Sequence, residues 1–313
     1  MSVLVWVVVT PFAAWAVLRV SGVEPPWPWA PVVAYTPYAA VVAGAGLLLA
    51  AALKRRAAAM VALAATVALG CTVLPRSFAD GQATAGGGRD ARTLRVLAVN
   101  LLVGAADAAD LTALVGRLRP DVLALQELTP AGLDRLEAAG LRKALPHAVT
   151  RPKQGAGGSA VYARHALVAG TTLEFGGFRQ VRAVLAHPSG ARVEVVSVHP
   201  CALRLRSRQP CWRAGLKALP RASGPLRVLA GDFNATLDHA LVRELLAGGY
   251  RDAADATGHG FTATWPQRGW GPPLPGVAID HVLADARMRV REFGVHALRG
   301  TDHRPVFAVL ALP

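Results

Sequence analysis

The sequence predicts a layered α/β body preceded by three membrane-spanning helices. After residue 93, short β-rich runs alternate with stretches of helical period, which is typical of sheets covered by helices. Before residue 77, three long apolar runs dominate, and hydrophobic residues make up 53% of the 313-residue chain. We therefore predict a membrane domain at 1–76, a flexible linker at 77–92 and a folded C-terminal domain at 93–313.

The three apolar runs cover residues 3–20, 31–53 and 57–74. The second and third carry no charge. At about 1.5 Å per helical residue, each is long enough to cross a hydrocarbon core of about 30 Å. The first run contains Pro11 and Arg19. It could be a signal peptide, but a signal peptide begins with basic residues, and no Lys or Arg precedes this run. We predict three transmembrane helices.

Basic residues in the short loops predict the orientation. Lys54, Arg55 and Arg56 separate the second and third runs, whereas residues 21–30 contain no Lys or Arg. The positive-inside rule places this triplet in the cytoplasm, although Arg76, after the third run, opposes it mildly. We therefore expect the C-terminal domain to lie outside the cytoplasm, at the cell membrane.

Cysteine placement agrees with that side of the membrane. Cys71 lies in the third apolar run, which leaves Cys201 and Cys211 in the C-terminal domain. In an oxidising compartment this pair can close a local loop, and we favour a disulfide. Two free thiols remain the alternative, because spacing alone does not supply the geometry of a bridge.

The chain is strongly basic, with 34 Lys and Arg against 20 Asp and Glu and a net charge of +14. Such a surface favours anionic partners, namely phosphorylated substrates, nucleic acid or anionic lipid headgroups. A composition rich in arginine that only aids solubility would give the same charge. The charge therefore assigns no partner by itself.

The first elements of the C-terminal domain show why we expect alternating strands and helices. Residues 93–99 alternate and are β-rich, so they predict a strand that ends at Asn100. Asp107 can cap a helix over 108–119, whose leucines share one face and which Pro120 ends. Further strands are predicted at 122–125, 159–163, 181–186, 192–198, 227–230, 277–283, 290–296 and 305–310, and further helices at 130–139, 203–219 and 237–246.

Polar residues recur where these strands end. Asp232 and Asn234 follow a buried strand and are two residues apart, so on an extended backbone they point to the same side. Such a pair can hold a water or a hard cation, although any one case could be an ordinary turn. Six cases predict a single shared site. The others are Asn100, Glu127, His199, Asp280 with His281, and Asp302 with His303.

These motifs, in this order, resemble those of the endonuclease/exonuclease/phosphatase superfamily, which includes pancreatic deoxyribonuclease, the neutral sphingomyelinases and the inositol polyphosphate 5-phosphatases. The resemblance spans about residues 93–313 and implies a deoxyribonuclease-like α/β fold, a two-sheet β-sandwich flanked by helices. The motifs are Asn100, Gln126-Glu127, His199-Pro200, Gly231-Asp232-Phe233-Asn234, Ile279-Asp280-His281-Val282 and Thr301-Asp302-His303.

The resemblance implies metal-assisted phosphoester hydrolysis. Glu127 would be the principal ligand of Mg²⁺, with Asn100 and Asp302 supporting the site and Mn²⁺ as an alternative metal. Arg182, in a strand before His199, is a candidate phosphate contact, although Arg179 is also near.

The remaining motif residues would handle protons and phosphate oxygens. Asp280 would fix the tautomer of His303 and raise its basicity. Asp232, with Asn234, would position the attacking water or stabilise charge at phosphorus. His199 would contact a phosphate oxygen or help to protonate the leaving group. Whether Asp232 or His303 accepts the proton of the water stays open.

The membrane helices narrow the substrate. The arrangement resembles a membrane-anchored actinobacterial branch of the superfamily that includes the teicoplanin-resistance membrane proteins. This resemblance implies a lipid-linked phosphate or pyrophosphate, such as undecaprenyl pyrophosphate. Trp265 and Trp270, in a loop with Pro266, Pro272, Pro273 and Pro275, could rest on lipid or pack over the mouth of the sandwich.

Two alternatives remain. One is a membrane-tethered extracytoplasmic nuclease, but Thr129 stands where deoxyribonuclease-like members carry an Arg, and aromatic content is low at 6%. The other is a catalytically silent binding module on the same fold. The complete set of metal and proton-transfer residues argues against it.

Overall fold

The computed structural model describes residues 2–81, 92–203, 205–267 and 275–313. Three of its N-terminal helical segments are long and apolar enough to cross a membrane, as predicted. Small buried residues such as Ala43, Ala58 and Ala62 let these helices pack closely. They comprise α1 (Ser2–Ser21), α2 (Trp29–Val32), α3 (Thr36–Ala52) and α4 (Arg56–Val73), and short 3₁₀ helices at Val33–Tyr35 and Leu74–Ser77 follow α2 and α4.

The C-terminal domain alternates strands with short helices along the chain. Its strands are β1 (Thr93–Asn100), β2 (Val122–Gln126), β3 (His147–Arg151), β4 (Ser159–Ala163), β5 (Leu167–Ala169), β6 (Leu173–Phe175), β7 (Phe178–Gln180), β8 (Arg182–Ala186), β9 (Arg192–Val198), β10 (Leu226–Asp232), β11 (Tyr250–Asp252), β12 (Asp280–Asp285), β13 (Arg289–Val295) and β14 (Val306–Ala311). Its helices are α5 (Ala108–Leu118), α6 (Pro130–Ala138), α7 (Leu141–Ala144), α8 (Gln209–Lys217), α9 (Ala240–Ala247) and α10 (Ala253–Ala256).

These strands form two sheets with the same internal pattern. The first sheet has the order β13-β14-β1-β2-β4-β3 and the second the order β11-β12-β10-β9-β8-β5, while β6 and β7 pair separately. The central pairs β1–β2 and β9–β10 are parallel, and the pairs on either side of them are antiparallel. Each sheet therefore carries one parallel pair at its centre.

The main core lies between the two sheets. Val96 of β1, Val195 of β9 and Val228 of β10 are fully buried there. On the outer faces, α5 to α7 cover the first sheet, and α8 and α9 cover the second, where Trp212 is fully buried. The layer order is helix, sheet, sheet, helix, which confirms the predicted two-sheet sandwich flanked by helices.

This topology brings the ends of several strands to one edge of the sandwich. The parallel strands β1 and β2 finish at the same level, where Asn100 pairs with Gln126. In the second sheet β12 runs antiparallel to β10, so its first residue, Asp280, pairs with the last residue of β10, Asp232. Side chains that sequence separates by many residues are thus neighbours at this edge.

Most predicted elements are present, with ends that differ by a few residues. The helix predicted over 203–219 is shorter than expected, since a 3₁₀ turn at Arg206–Arg208 precedes α8. Prediction missed β3, which is largely accessible to solvent, and β5, β6, β7 and β11. The last four are three residues long, which is too short for period-2 alternation to be recognised.

The start of the predicted linker is held against the C-terminal domain. Ala79 forms an isolated bridge with Thr257, and the backbone N–H of Asp80 donates to the Ala256 carbonyl at 3.1 Å. Arg251 also pairs with the Asp80 carboxylate at 2.7 Å. The first residues of the predicted linker therefore contact the C-terminal domain, whereas residues 82–91 of it lie outside the described part.

Cys201 and Cys211 form the predicted disulfide, with their Cα atoms 5.8 Å apart. Cys201 is buried two residues after His199, and Cys211 lies in α8. The bond therefore ties the segment that follows His199 to the helix that covers the second sheet.

A buried ionic cluster joins the N-terminal helices to the C-terminal domain. Arg19 of α1 donates to Asp238 at 2.7 Å, and Arg76, after α4, donates to both oxygens of the same carboxylate at 2.7 and 2.8 Å. Nearby, His239 Nε2 lies 2.8 Å from the carbonyl oxygen of Ala30. All three candidate spans are thus anchored on one short loop of the C-terminal domain, at Asp238 and His239.

Candidate active site

The polar residues predicted at the strand ends converge on one cleft of about 530 Å³. Asn100, at the end of β1, lies directly behind it and contacts two of its lining carboxylates. Asp280, at the start of β12, holds one of its lining histidines. The predicted residues that line the cleft are Glu127, His199, Asp232, Asn234, Asp302 and His303.

Glu127 is presented by a constrained turn after β2. Its φ of 59° lies in the left-handed region, which non-glycine residues adopt at a cost that is often found at functional sites. The backbone N–H of Val103 donates to Oε2 at 2.7 Å, and Asn100 Nδ2 lies 3.3 Å from Oε1. Burial raises the pKa of Glu127, and the nearby Asp302 carboxylate adds to this rise. A cation here would relieve that concentration of negative charge.

Asp232 is fixed from both sides at the end of β10. The backbone N–H of Asn234, itself at a φ of 48°, donates to Oδ1 at 2.7 Å, and Asn100 Nδ2 donates to Oδ2 at 3.1 Å. Gly231 is required just before it, since a Cβ there would lie 2.7 Å from Gln126 Nε2 and closer still to the Val198 carbonyl oxygen. Burial raises the pKa of Asp232, so its carboxylate is poised to accept a proton.

His303 is oriented by a buried carboxylate. Its Nδ1 lies 2.9 Å from Asp280 Oδ2, which leaves Nε2 directed into the cleft, 3.7 Å from Asp232 Oδ2. Burial opposes a charge on the ring, but the Asp280 and Asp232 carboxylates outweigh it and raise the pKa of His303 to about 10. The side chain is therefore a cation at neutral pH.

His199 also lies near the Asp232 carboxylate, but its ring is neutral where that of His303 is charged. Its Nε2 lies 3.5 Å from Asp232 Oδ2 and 3.6 Å from Glu127 Oε1. Complete burial lowers its pKa, and Phe178 packs edge-on against the ring with centroids 5.2 Å apart. A neutral imidazole of this kind can donate one hydrogen bond to an anionic oxygen without adding a charge.

Three residues support the site residues through hydrogen bonds, and sequence analysis predicted no role for Thr264. The Thr301 hydroxyl donates to the Asn100 carbonyl at 2.9 Å, and the Thr264 hydroxyl accepts from the backbone N–H of Asp280 at 3.1 Å. Trp265 lines the cleft, and its indole N–H donates to Asp302 Oδ2 at 2.9 Å. This matches the interpretation that Trp265 packs over the mouth of the sandwich, whereas Trp270, Pro272 and Pro273 lie outside the described residues.

Arg182 is not among the residues that the fold brings to the cleft. Its guanidinium binds the buried Glu194 carboxylate, which also receives Arg227 Nε at 2.6 Å. A buried carboxylate inside a strand needs a cationic partner, and Arg182 supplies one. His281 is likewise structural, as the sequence suggested, because its ring bridges Asp252 at 2.8 Å and the Ala235 carbonyl at 2.9 Å.

Two neighbouring groups of side chains could hold a metal. Ligand atoms of Asp232, Asp280 and His303 lie within 4.8 Å of one another. In this group, however, two of the three members are already paired with each other, since His303 Nδ1 lies 2.9 Å from Asp280 Oδ2. The predicted set around Glu127 presents carboxylate and amide oxygens, which suit a hard cation better.

Part of the cleft lining comes from the N-terminal helical part of the chain. The cleft is lined by four residues near the start of the second candidate span, Pro31, Val32, Ala34 and Tyr35, as well as by the polar residues of the C-terminal domain. The sequence could not predict this contact, because apolar residues in a predicted span carry no signal of what they face. The cleft is therefore built jointly by the second candidate span and the C-terminal domain.

Comparison with known proteins agrees with this geometry. A family model described as the Endonuclease/Exonuclease/phosphatase family matches residues 97–303. A solved endonuclease/exonuclease/phosphatase from Beutenbergia cavernae DSM 12333 is 20% identical over 71% of this chain and 72% of its own, with a TM-score of 0.54. No curated protein gives a significant match.

Two further solved structures share the fold. An AP endonuclease from Archaeoglobus fulgidus is 18% identical over 69% of this chain and 98% of its own, with a TM-score of 0.55. D. rerio TDP2, solved with a single-strand DNA product, is 18% identical over 70% of this chain and 98% of its own, with a TM-score of 0.52. At these identities the likeness concerns the fold and leaves the substrate open.

Proposed function

This chain belongs to the Endonuclease/Exonuclease/phosphatase family, whose members are metal-dependent phosphoesterases, and from that premise we propose that it is a membrane-anchored phosphohydrolase acting on lipid-linked phosphate or pyrophosphate. One observation carries the proposal. The cleft that contains Asp232 and His303 is lined on one side by Pro31 to Tyr35 of the second candidate span. A substrate in this cleft would therefore lie against the start of this candidate span.

The metal fits the donor set around Glu127. Asn100, Glu127 and Asp302 would hold Mg²⁺, with Mn²⁺ as the alternative, and the ion would supply Lewis-acid stabilisation of charge on the phosphoryl oxygens. Val103 and Trp265 orient the Glu127 and Asp302 carboxylates through hydrogen bonds of 2.7 and 2.9 Å.

The protein residues divide the proton chemistry among themselves. Asp232, held by Asn234 and Asn100, would orient the attacking water and accept its proton, since burial raises its affinity for protons. His303, kept protonated by Asp280, is better suited to stabilise the growing negative charge than to act as the base. The neutral His199 would donate a hydrogen bond to a phosphoryl oxygen.

Two features support an extracytoplasmic position for the cleft. The basic triplet Lys54, Arg55 and Arg56 separates α3 from α4, at the opposite ends of these helices from the C-terminal domain, which favours a cytoplasmic location for the triplet. The Cys201–Cys211 disulfide also suits an oxidising compartment. Both features agree with a substrate in the outer leaflet.

A tethered nuclease is the second candidate. The net charge of +14 favours nucleic acid as much as lipid headgroups, and the fold is shared with an AP endonuclease. Against it, Thr129 caps α6 by accepting from the Gly132 N–H at 3.0 Å, so this position offers no cation to a nucleic acid backbone. The apolar wall from the membrane segment also suits lipid better than a polyanion.

The decisive test compares two substrates of the detergent-purified protein. Phosphate release from undecaprenyl pyrophosphate and nicking of double-stranded DNA are measured with Mg²⁺, and each arm includes EDTA and an Asp232→Asn control. We expect EDTA-sensitive phosphate release and intact DNA. Nicked DNA with untouched lipid would replace the proposal by the nuclease, and inactivity on both would refute it.

A further inference from the structure

A second cavity of about 460 Å³ lies beside the cleft, between the membrane helices and the C-terminal domain. Its walls come from the first turns of α3, the last turns of α4 and three loops of the C-terminal domain. We name it the tail groove, and its lining includes Ala34, Val41, Gly70, Leu74, Phe261 and Val277.

The tail groove adjoins the active-site cleft. Ala34, in the 3₁₀ turn before α3, and Val277, before β12, line both spaces. A molecule with a head beside Asp232 and His303 could therefore extend past these two residues without leaving the protein. The two cavities are therefore neighbours that share part of their lining, and the second one extends to the ends of the candidate spans.

The lining suits hydrocarbon. Its charged members, Arg76 and Asp238, bond to each other at 2.7 and 2.8 Å, so their charges are already satisfied. Towards the outside, the groove is flanked by apolar side chains on the candidate spans, with Val41 73% and Leu74 59% exposed. Exposed aliphatic residues on a span are the normal contact surface for lipid tails. A water-soluble substrate would gain nothing from such a path.

We propose that the tail groove binds the hydrocarbon chain of the substrate while its phosphate occupies the cleft. This inference rests on the proposed function, since it specifies the substrate class of the same site as an amphiphile with one long apolar chain. Binding of the chain then contributes to recognition, because apolar surface of both chain and groove is covered. The protein should accordingly prefer long-chain over short-chain substrates with the same head.

Gly70→Leu tests the groove by filling it. A Cβ at Gly70 would have Leu74 Cδ1 as its nearest neighbour, at 3.6 Å, which is an ordinary van der Waals contact. The matched control is Ala64→Leu on the same helix, at an exposed position that lines neither cavity. Phe261→Ala is a second groove variant, which removes a partly exposed wall instead of filling the space.

The readout is a ratio of kcat/KM values for the full-length protein in detergent. Undecaprenyl pyrophosphate is the long-chain probe, and dimethylallyl pyrophosphate is the short-chain probe with the same head. We expect the long-to-short ratio to fall at least about tenfold in Gly70→Leu, to fall less in Phe261→Ala and to be unchanged in Ala64→Leu. Circular dichroism and thermal melting establish that each variant is folded.

The outcomes separate the two proposals. If both groove variants are folded and keep the wild-type ratio, the tail groove is wrong while the hydrolase stands. If Gly70→Leu does not fold, the ratio in Phe261→Ala decides alone. A wild-type protein that hydrolyses neither probe but nicks DNA would overturn the proposed function and the groove with it.

Discussion

His303 and Asp280 form a buried imidazole–carboxylate pair in which Nδ1 lies 2.9 Å from Oδ2 and 3.1 Å from Oδ1. Asp280 lies at the start of β12 and His303 in the loop before β14, so the pair bridges the two sheets of the sandwich. Because one ring nitrogen is committed to Asp280, only Nε2 can act in the cleft. The pair therefore fixes both the direction and the charge of the ring.

Asp280→Asn should remove a pH-dependent part of the stability. The pKa of His303 is raised to about 10 in the folded protein, so the pair stabilises fully below the ordinary His pKa of about 6.5 and the contribution is lost as pH rises through about 10. We expect the Tm difference between wild type and variant, measured in EDTA, to be largest near about pH 6 and smallest near about pH 10. A difference that does not vary with pH would contradict the assigned charge of His303.

Replacing either Asp232, the proposed base, or His303, the proposed charge-stabilising residue, should sharply lower turnover without unfolding the domain. For Asp232→Asn and His303→Asn we expect kcat to fall by about 10² to 10⁴, the usual contribution of a positioned base or of a donor that stabilises charge in the transition state. Activity and circular dichroism are measured together. His147→Asn, an exposed histidine on β3, is the control and should leave kcat unchanged. Near-full activity in either cleft variant would refute its assignment.

Sequence could predict these residues but not all of their surroundings. Glu127 and Asp232 stand directly at strand ends, where alternation and turn signals locate them, and the superfamily motifs fix their order. The position of Arg182 away from the cleft could not be read from sequence, because its partner, Glu194, lies on the neighbouring strand β9. A carboxylate within a buried apolar strand was the available signal, since such a group requires a cationic partner.

The wall from Pro31 to Tyr35 was beyond sequence reasoning for a different reason. The hydropathy of a run predicts whether it can enter a membrane, but it does not predict which folded domain the run contacts. The contact depends on tertiary packing between segments some 200 residues apart, such as His239 with the Ala30 carbonyl. The same limit applies to Trp265, whose bond to Asp302 depends on how its loop folds back over the cleft.

Glu127→Gln should remove the stabilisation of the folded protein by Mg²⁺. Mg²⁺ that binds only the folded state raises Tm as its concentration rises, and the Glu127 carboxylate is the main anionic donor proposed for it. We expect Mg²⁺ to raise the Tm of the wild type and to have little effect on the variant, and we expect EDTA to abolish activity. Glu244→Gln, at an exposed position on α9, is the control. If Mg²⁺ raises the Tm of Glu127→Gln as much as that of the wild type, the metal site would instead be assigned to Asp232, Asp280 and His303.

Asp238→Asn should weaken the junction between membrane helices and C-terminal domain. Removing one partner of a buried ionic cluster leaves Arg19 and Arg76 uncompensated, which typically costs about 3–5 kcal/mol. The two arginines lower the pKa of Asp238 despite its burial, so its stabilising contribution is present above the ordinary Asp pKa and is lost only as pH falls through the lowered value. We therefore expect a large drop in Tm at neutral pH. Asp134→Asn, on the exposed face of α6, should leave Tm unchanged, and a similar Tm for both variants would contradict the role of Asp238.

The side of the membrane can be tested with a fusion and with the disulfide. Alkaline phosphatase folds only in an oxidising compartment, so a fusion after Pro313, which is exposed, should be active if the C-terminal domain lies outside the cytoplasm. A fusion truncated after Arg56, in the basic loop, is the matched control and should be inactive. Alkylation of cells before and after reduction gives an independent measurement, because Cys201 and Cys211 should react only after reduction. An inactive full-length fusion together with freely reactive cysteines would place the cleft in the cytoplasm and remove the outer-leaflet lipids from its reach.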